Sequence, residues 1–278
     1  MNEETPTENG LFSTDPAYGK SDKSLVAIVG HGTMGKAVER SLAPHVERFL
    51  VDPIYNVTID QLTEREPSLS FVCTPASLAD YSDTVDAVLK LIRTTQSAVV
   101  LKTTLDINTL DKLVRTLVGD NTINRFVYAP DLSSDNNTDD DYLNPKYMIL
   151  GGMESSCNEL LNFFHWNTLM TLPKNQKEDG GIHICAPNEA ALTFYGIQAY
   201  LTTKTMFFSE LSTIVSGMES MGVNFPVTAR AVIADPRIGK TNWFSVGDID
   251  TSAIEAIVAM HEGSLPLLET IIKSNEEG

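Results

Sequence analysis

One segment constrains this chain more than any other: Gly30-His-Gly-Thr-Met-Gly35, preceded by the β-branched run Leu25-Val-Ala-Ile-Val29 and opening a helical stretch from Thr33 to Leu42. Three glycines at this spacing do three jobs. Gly30 permits a tight turn, Gly32 lets the backbone approach a pyrophosphate, and Gly35 lets helix and strand pack closely. The helix start then offers free N–H groups and the positive end of its dipole. His31, Thr33 and Met34 fill the turn and border the phosphates. Asp52 ends the next strand about 20 residues on, which is the spacing of a dinucleotide fingerprint. Its carboxylate suits the adenosine ribose hydroxyls and repels a 2′-phosphate, and Pro53, Ile54 and Tyr55 supply no cation. The pattern implies NAD rather than NADP as cofactor.

The rest of the first half repeats the alternation. Arg48–Asp52, Ser70–Thr74, Ala98–Lys102, Arg125–Ala129 and Tyr147–Leu150 read as strands. Asp80–Ile92 and Ile107–Leu117 read as helices, the former with Val85, Val88, Leu89 and Ile92 on one face. Strand–helix alternation predicts an α/β fold: a Rossmann-type, doubly wound parallel sheet covered on both faces, because parallel strands need crossover connections. Thr74-Pro75 falls where the C-terminal edge of such a sheet meets its ligand, and Lys102 is a cation at the same edge. Residues 133–141 (SSDNNTDDD) read as a solvated acidic loop. Past Pro187 the pattern turns helical, with one long apolar-rich stretch from Glu189 to about Met221, then Thr251–Met260 and Leu265–Lys273. The expected organisation is a disordered tail over 1–23, an NAD-binding domain over 24–186 and an α-helical dimerisation domain over 187–278.

Composition narrows the function classes. The formal charge is -17, from 20 Lys plus Arg against 37 Asp plus Glu, which disfavours nucleic acid and anionic membranes as partners. No apolar run approaches the roughly 18 residues of a membrane span. The acidic start MNEETPTENG is unlike a signal peptide. Cys73, Cys157 and Cys185 have no CxxC spacing, so neither a disulfide framework nor a metal site is expected, and a cytoplasmic location fits.

The order of short motifs resembles one family. VAIVGHGTMG, FVCTP, LKTT, VYAPDLSSDN, LNPKYMILGG and ADPRIG follow one another as the corresponding motifs do in the UDP-glucose/GDP-mannose dehydrogenases. The resemblance runs from about Leu25 to the C-terminus. It implies a Rossmann domain, a central helical domain whose long helix makes a homodimer, NAD, and oxidation of a nucleotide-sugar alcohol to an acid. Residue by residue it places Thr104 on a threonine that organises water, cofactor and substrate, and Asp131 and Asp135 on the two acids of the following loop. Arg237 falls on a substrate-binding arginine, Lys102 remains the cation near the substrate, and Asp250-Thr251 fall at the end of the motif that carries the nucleophilic cysteine.

The departures from that pattern lie in the chemistry. Val246 stands on the cysteine, Ile249 on the lysine of the same motif, and Phe194 and Gln198 on the catalytic lysine and asparagine of the long helix. The second oxidation needs a thiolate to trap the aldehyde, and a lysine stabilises the developing oxyanion. Valine and phenylalanine do neither. Lys204, ten residues beyond Phe194, lies roughly 80° off its helix face. The chain also stops about where family members continue into a third, nucleotide-gripping domain. The expectation is an NAD-binding oxidoreductase unable to complete the alcohol-to-acid reaction, with Thr104, Asp131 and Asp250 at the reacting alcohol. The alternative is a catalytically degenerate NAD-binding scaffold, sensor or partner-binding protein.

Overall fold

A computed structural model describes residues 24–62, 64–75, 80–132, 138–173, 181–236, 238, 251–260 and 264–276. These fall into two compact units, one ending at Leu192 and one beginning at Thr193. The predicted tail over 1–23 lies outside the described residues.

The first unit contains β1 (Leu25–Val29), α1 (Thr33–Ser41), β2 (Glu47–Val51), β3 (Leu69–Val72), α2 (Ser82–Thr94), β4 (Ala98–Leu101), α3 (Ile107–Gly119), β5 (Phe126–Tyr128), α4 (Thr138–Leu143), β6 (Tyr147–Gly152), α5 (Glu154–Asn167) and β7 (Gly181–Cys185). The strands form one sheet in the order β2-β1-β3-β4-β5-β6-β7. The first five run parallel. β6 is antiparallel to β5, and β7 is parallel to β6.

The central strand explains the β-branched run. Val26, Ala27 and Ile28 are fully buried, so side chains on both faces are covered. α1 and α5 pack on the face carrying Val26, Ile28, Phe71 and Val100. The alternate residues Ala27, Ser70, Val72, Val99 and Leu101 are buried as well. This is the expected α/β, doubly wound sheet. Chain order reverses at β1, between β2 and β3, and ligands in such sheets bind beyond the carboxyl ends of the strands at that reversal.

Several elements differ from the sequence reading. The acidic loop is in part helix: Asp139, Asp140 and Asp141 occupy the first turn of α4, where the positive end of the helix dipole favours carboxylates. α5 and β7 were not anticipated. The buried residues of α5 include Ser156, Cys157 and Asn167, so polar side chains interrupt its apolar stripe.

The helix α6 (Pro187–Ser216) is followed by α7 (Phe225–Ile233), α8 (Ser252–Met260) and α9 (Pro266–Glu276). The stretch predicted as continuous to Met221 therefore ends at Ser216. Gly217 follows, and Gly222 takes a φ of 78° that reverses the chain. The Asn224 side chain then accepts from Val227 N–H at 3.2 Å and caps α7. Two small cores hold these helices: Ala199, Ile254 and Ile271 in one, Phe208 and Ala229 in the other.

Candidate cofactor and substrate site

The glycine turn sits at the reversal of strand order, and its shape is dictated by contacts that leave no room for side chains. Gly30 has φ 88°. A Cβ there would lie 2.6 Å from the carbonyl oxygen of Cys73 and 2.9 Å from the nitrogen of Thr74. A Cβ on Gly35 would overlap the Gly30 carbonyl oxygen. Gly32 is different. Nothing lies within 4 Å of where its Cβ would be. It caps α1 without a side-chain hydrogen bond, and no acidic residue occupies the first turn. Thr33 and Gly32 are exposed and Met34 is half-buried. The first N–H groups of α1 therefore face open space, which is the arrangement that holds a phosphate.

Asp52 stands beside this opening. One carboxylate oxygen accepts from His31 N–H at 2.7 Å and the other from Ile54 N–H at 3.0 Å. These two backbone donors, His31 first, hold its pKa below the ordinary aspartate range. The same His31 carries a ring that the sequence reading placed only at the phosphates. Its Nε2 lies 2.8 Å from Glu39 Oε2 on α1, and its Nδ1 lies 2.8 Å from the Tyr55 hydroxyl. A carboxylate only accepts, so Nε2 carries a proton and donates to Glu39; in the neutral ring Nδ1 then accepts from Tyr55. Glu39 and Tyr55 were not singled out in the sequence, because a bond spanning eight residues from a turn to a helix has no periodic signature. Ile54 is left 78% exposed.

A second group lies at the ends of β3, β4 and β5. The Thr74 hydroxyl meets those of Thr84 at 2.7 Å and Thr103 at 3.2 Å, and Thr103 also donates to the Thr74 carbonyl. Pro75 follows, exposed. Lys102 does not face solvent: it is 9% exposed, and its Nζ lies 5.2 Å from the centre of the Tyr142 ring. Burial pulls its pKa below the usual lysine value, and the charges of Asp131 and Cys73 partly oppose this. Asp131 is half-buried and interacts electrostatically with both Lys102 and Cys73. Burial pushes the Cys73 thiol up to about 12, so it is not a thiolate at neutral pH. Thr104 is half-buried on the same loop, where with the Leu105 backbone it offsets part of the rise that burial imposes on the Tyr128 phenol.

The buried ammonium gives a stability prediction. The folded lysine binds its proton less tightly than the unfolded one, so its contribution rises with pH between the two pKa values and is flat and unfavourable below both. Lys102→Met should be more stable than the natural protein near neutral pH, by about 1 kcal/mol or more, since a half-exposed Asp131 retains its hydration. It should also lose the alkaline rise. Urea unfolding at neutral and alkaline pH checks both, and a large destabilisation would mean that Asp131 depends on the lysine.

The remaining predicted positions divide. Phe194 and Gln198 lie one turn apart on α6, both half-buried, with the Phe194 ring edge-on to Tyr195 at 5.4 Å between centroids. Lys204 donates to the Ile238 carbonyl at 2.9 Å. Asp135, Arg237, Val246, Ile249 and Asp250 lie outside the described residues. Among the described residues, no cluster of three His, Cys, Asp or Glu could hold a metal, and no helix is long and apolar enough to cross a membrane.

The fold defines a class: an α/β protein with a Rossmann-like, doubly wound sheet followed by helices. No protein-family model and no curated protein matches the sequence. Solved structures do match. A UDP-glucose dehydrogenase from Pyrobaculum islandicum superposes with a TM-score of 0.67 at 19% identity, over 92% of this chain and 69% of its own. A UDP-D-ManNAc dehydrogenase from Pyrococcus horikoshii gives 0.66 at 14%, over 91% and 68%. A 3-hydroxyisobutyrate dehydrogenase from Mycobacterium tuberculosis gives 0.64 at 12%, over 92% of this chain and 93% of its own. At such identities the likeness is one of fold.

Proposed function

We propose that the first unit binds NAD and that the protein is an oxidoreductase of the nucleotide-sugar dehydrogenase type, limited to at most one two-electron oxidation. The observation that carries the cofactor is the open, uncapped start of α1 at Gly32 with Asp52 beside it. Gly30, Gly32, Gly35, Thr33 and Met34 would surround the pyrophosphate, Asp52 the ribose, and Thr74, Pro75 and Thr104 the nicotinamide end. Bound nicotinamide supplies a hydride acceptor. The chain's own task is then to take the alcohol proton, and Asp131 is the base in reach of that edge, directly or through a water held by Thr104. Asp250 and Arg237 join this proposal on the motif resemblance, Asp250 at the alcohol and Arg237 at the substrate. Lys102 enters through Asp131, since its ammonium is buried.

A second oxidation lacks its nucleophile. Val246 and Phe194 stand on the cysteine and lysine positions, and the Cys73 thiol at the sheet edge stays protonated. The reading therefore stops at aldehyde, or at cofactor binding alone in a scaffold or sensor. The division into a cofactor domain over 24–186 and a helical dimerisation domain over 187–278, and a cytoplasmic location consistent with three free cysteines, belong to the same proposal.

The homodimer rests on α6. Tyr200, Phe207 and Ile214 recur every seventh residue and are 60%, 53% and 59% exposed. At coiled-coil spacing beside them lie Ile197, the charged Lys204, and Leu211, which also packs against the Phe208–Ala229 core. The flanks of this strip, with Ala199 on one side and Phe208 and Val215 on the other, are buried. Such an unpaired apolar seam fits a second copy of itself.

The deciding experiment is calorimetry with NAD followed by a nucleotide-sugar panel, reading NADH and aldehyde separately. The expected result is NAD binding with turnover that ends at aldehyde. Binding without turnover selects the scaffold, and robust acid formation overturns the limit to one oxidation. Short hydroxy acids form a second arm, because the mycobacterial enzyme is matched over 93% of its own length.

A further inference from the structure

The ribose corner carries an arrangement that cofactor binding alone does not require. Of the side chains on the turn 30–35 and on the loop 52–56, His31 is the only one able to carry a positive charge. A cofactor with a 2′-phosphate needs N–H or O–H donors at this corner, and His31 is placed to supply them. Its ring is 7% exposed and both nitrogens are engaged. The Nε2 proton goes to Glu39, and Nδ1 is occupied by the Tyr55 hydroxyl, whose own proton is thereby used. The titratable groups around His31 are Glu39 and Tyr55, which meet its ring, and Asp52, which accepts from its backbone N–H. Two of the three are carboxylates.

We infer that Glu39 and Tyr55 set the choice between the two nicotinamide dinucleotides, by consuming the hydrogen bonds of His31 so that none is left for a 2′-phosphate. This rests on the proposal that the corner receives the adenosine end of such a cofactor. Asp52 repels the phosphate by charge. Glu39 and Tyr55 act through the histidine and are specificity-positioning residues. The tilted contact of the two rings, 5.6 Å between centroids, keeps Tyr55 over His31. Freed of both partners, His31 would present two ring nitrogens to the corner.

The test compares the affinities of NAD and NADP, by calorimetry, for the natural protein, a Glu39→Ala/Tyr55→Phe variant, and the same variant with His31→Asn. Thermal denaturation checks folding, and the single variants Glu39→Ala and Tyr55→Phe stand in if the pair does not fold. The natural protein should prefer NAD. In the double variant the preference should fall about tenfold or more. Adding His31→Asn should restore it. An unchanged preference in the double variant overturns the inference. So does a fall that survives the loss of His31, which would make Glu39 a simple repulsive charge. If the natural protein binds neither dinucleotide, the cofactor proposal itself fails and this inference goes with it.

Discussion

Gly30→Ala should unfold far more easily than the natural protein, while Gly32→Ala should fold normally and lose its cofactor. Two residues apart in one turn, the glycines serve different ends. At Gly30 the backbone has φ 88° and the added methyl meets Cys73 and Thr74 backbone atoms at 2.6 to 2.9 Å. Left-handed strain costs about 1–2 kcal/mol, and backbone of the neighbouring strand cannot swing aside as a flexible side chain can. A total of about 3 kcal/mol or more is expected, a drop of roughly 6–12 °C in melting temperature for a unit of this size. At Gly32 the backbone is extended, φ -74°, and the methyl meets nothing. Its stability should change by less than about 0.5 kcal/mol. The methyl would instead fill the space through which a pyrophosphate reaches the N–H groups of α1, weakening NAD binding about tenfold or more. Thermal melts and calorimetry on the two variants separate the effects. Equal NAD affinity in Gly32→Ala and the natural protein would remove the phosphate from this turn.

Phe207→Glu should convert the proposed dimer to monomer. A two-fold interface along α6 carries every substitution twice, so one change places two carboxylates in an apolar strip. An anchor of this kind is worth about 2 kcal/mol or more to association, and the added charge must be desolvated as well. The dimer dissociation constant should rise at least about 100-fold. Because Phe207 is already 53% exposed, the fold of the unit should survive. Sedimentation velocity over a range of concentrations reads the result. A natural protein that stays monomeric, or a variant that stays dimeric, would mean that the seam is not the interface.

The legibility of the fold varied with how local its causes were. β1 was readable to the residue, because a fully buried parallel strand needs five consecutive apolar side chains and Leu25–Val29 supplies them. The end of α6 was misread, since the apolar pattern continues past Ser216 while the helix itself stops there. α5 escaped because its buried face includes Ser156 and Asn167. They are tolerated there because each is bonded to a distant partner: the Ser156 hydroxyl donates to Asn124, and the Asn167 side chain pairs with His45. No local pattern announces such partners.

The site divides in the same way. The glycine spacing and Asp52 are matters of backbone geometry over a single β–α–β unit, and the sequence by itself determined them. The residue types Val246, Phe194 and Gln198 are equally plain in it. What only the tertiary structure decided is what the flanking side chains do. Lys102, expected as a cation at the sheet edge, is folded under Tyr142. His31, expected beside a phosphate, is held between Glu39 and Tyr55. The physical reason is that hydrogen-bond and burial partners are chosen by proximity in space, across separations of 8 to 40 residues here, whereas a turn's φ angles and a strand's burial are written in adjacent residues.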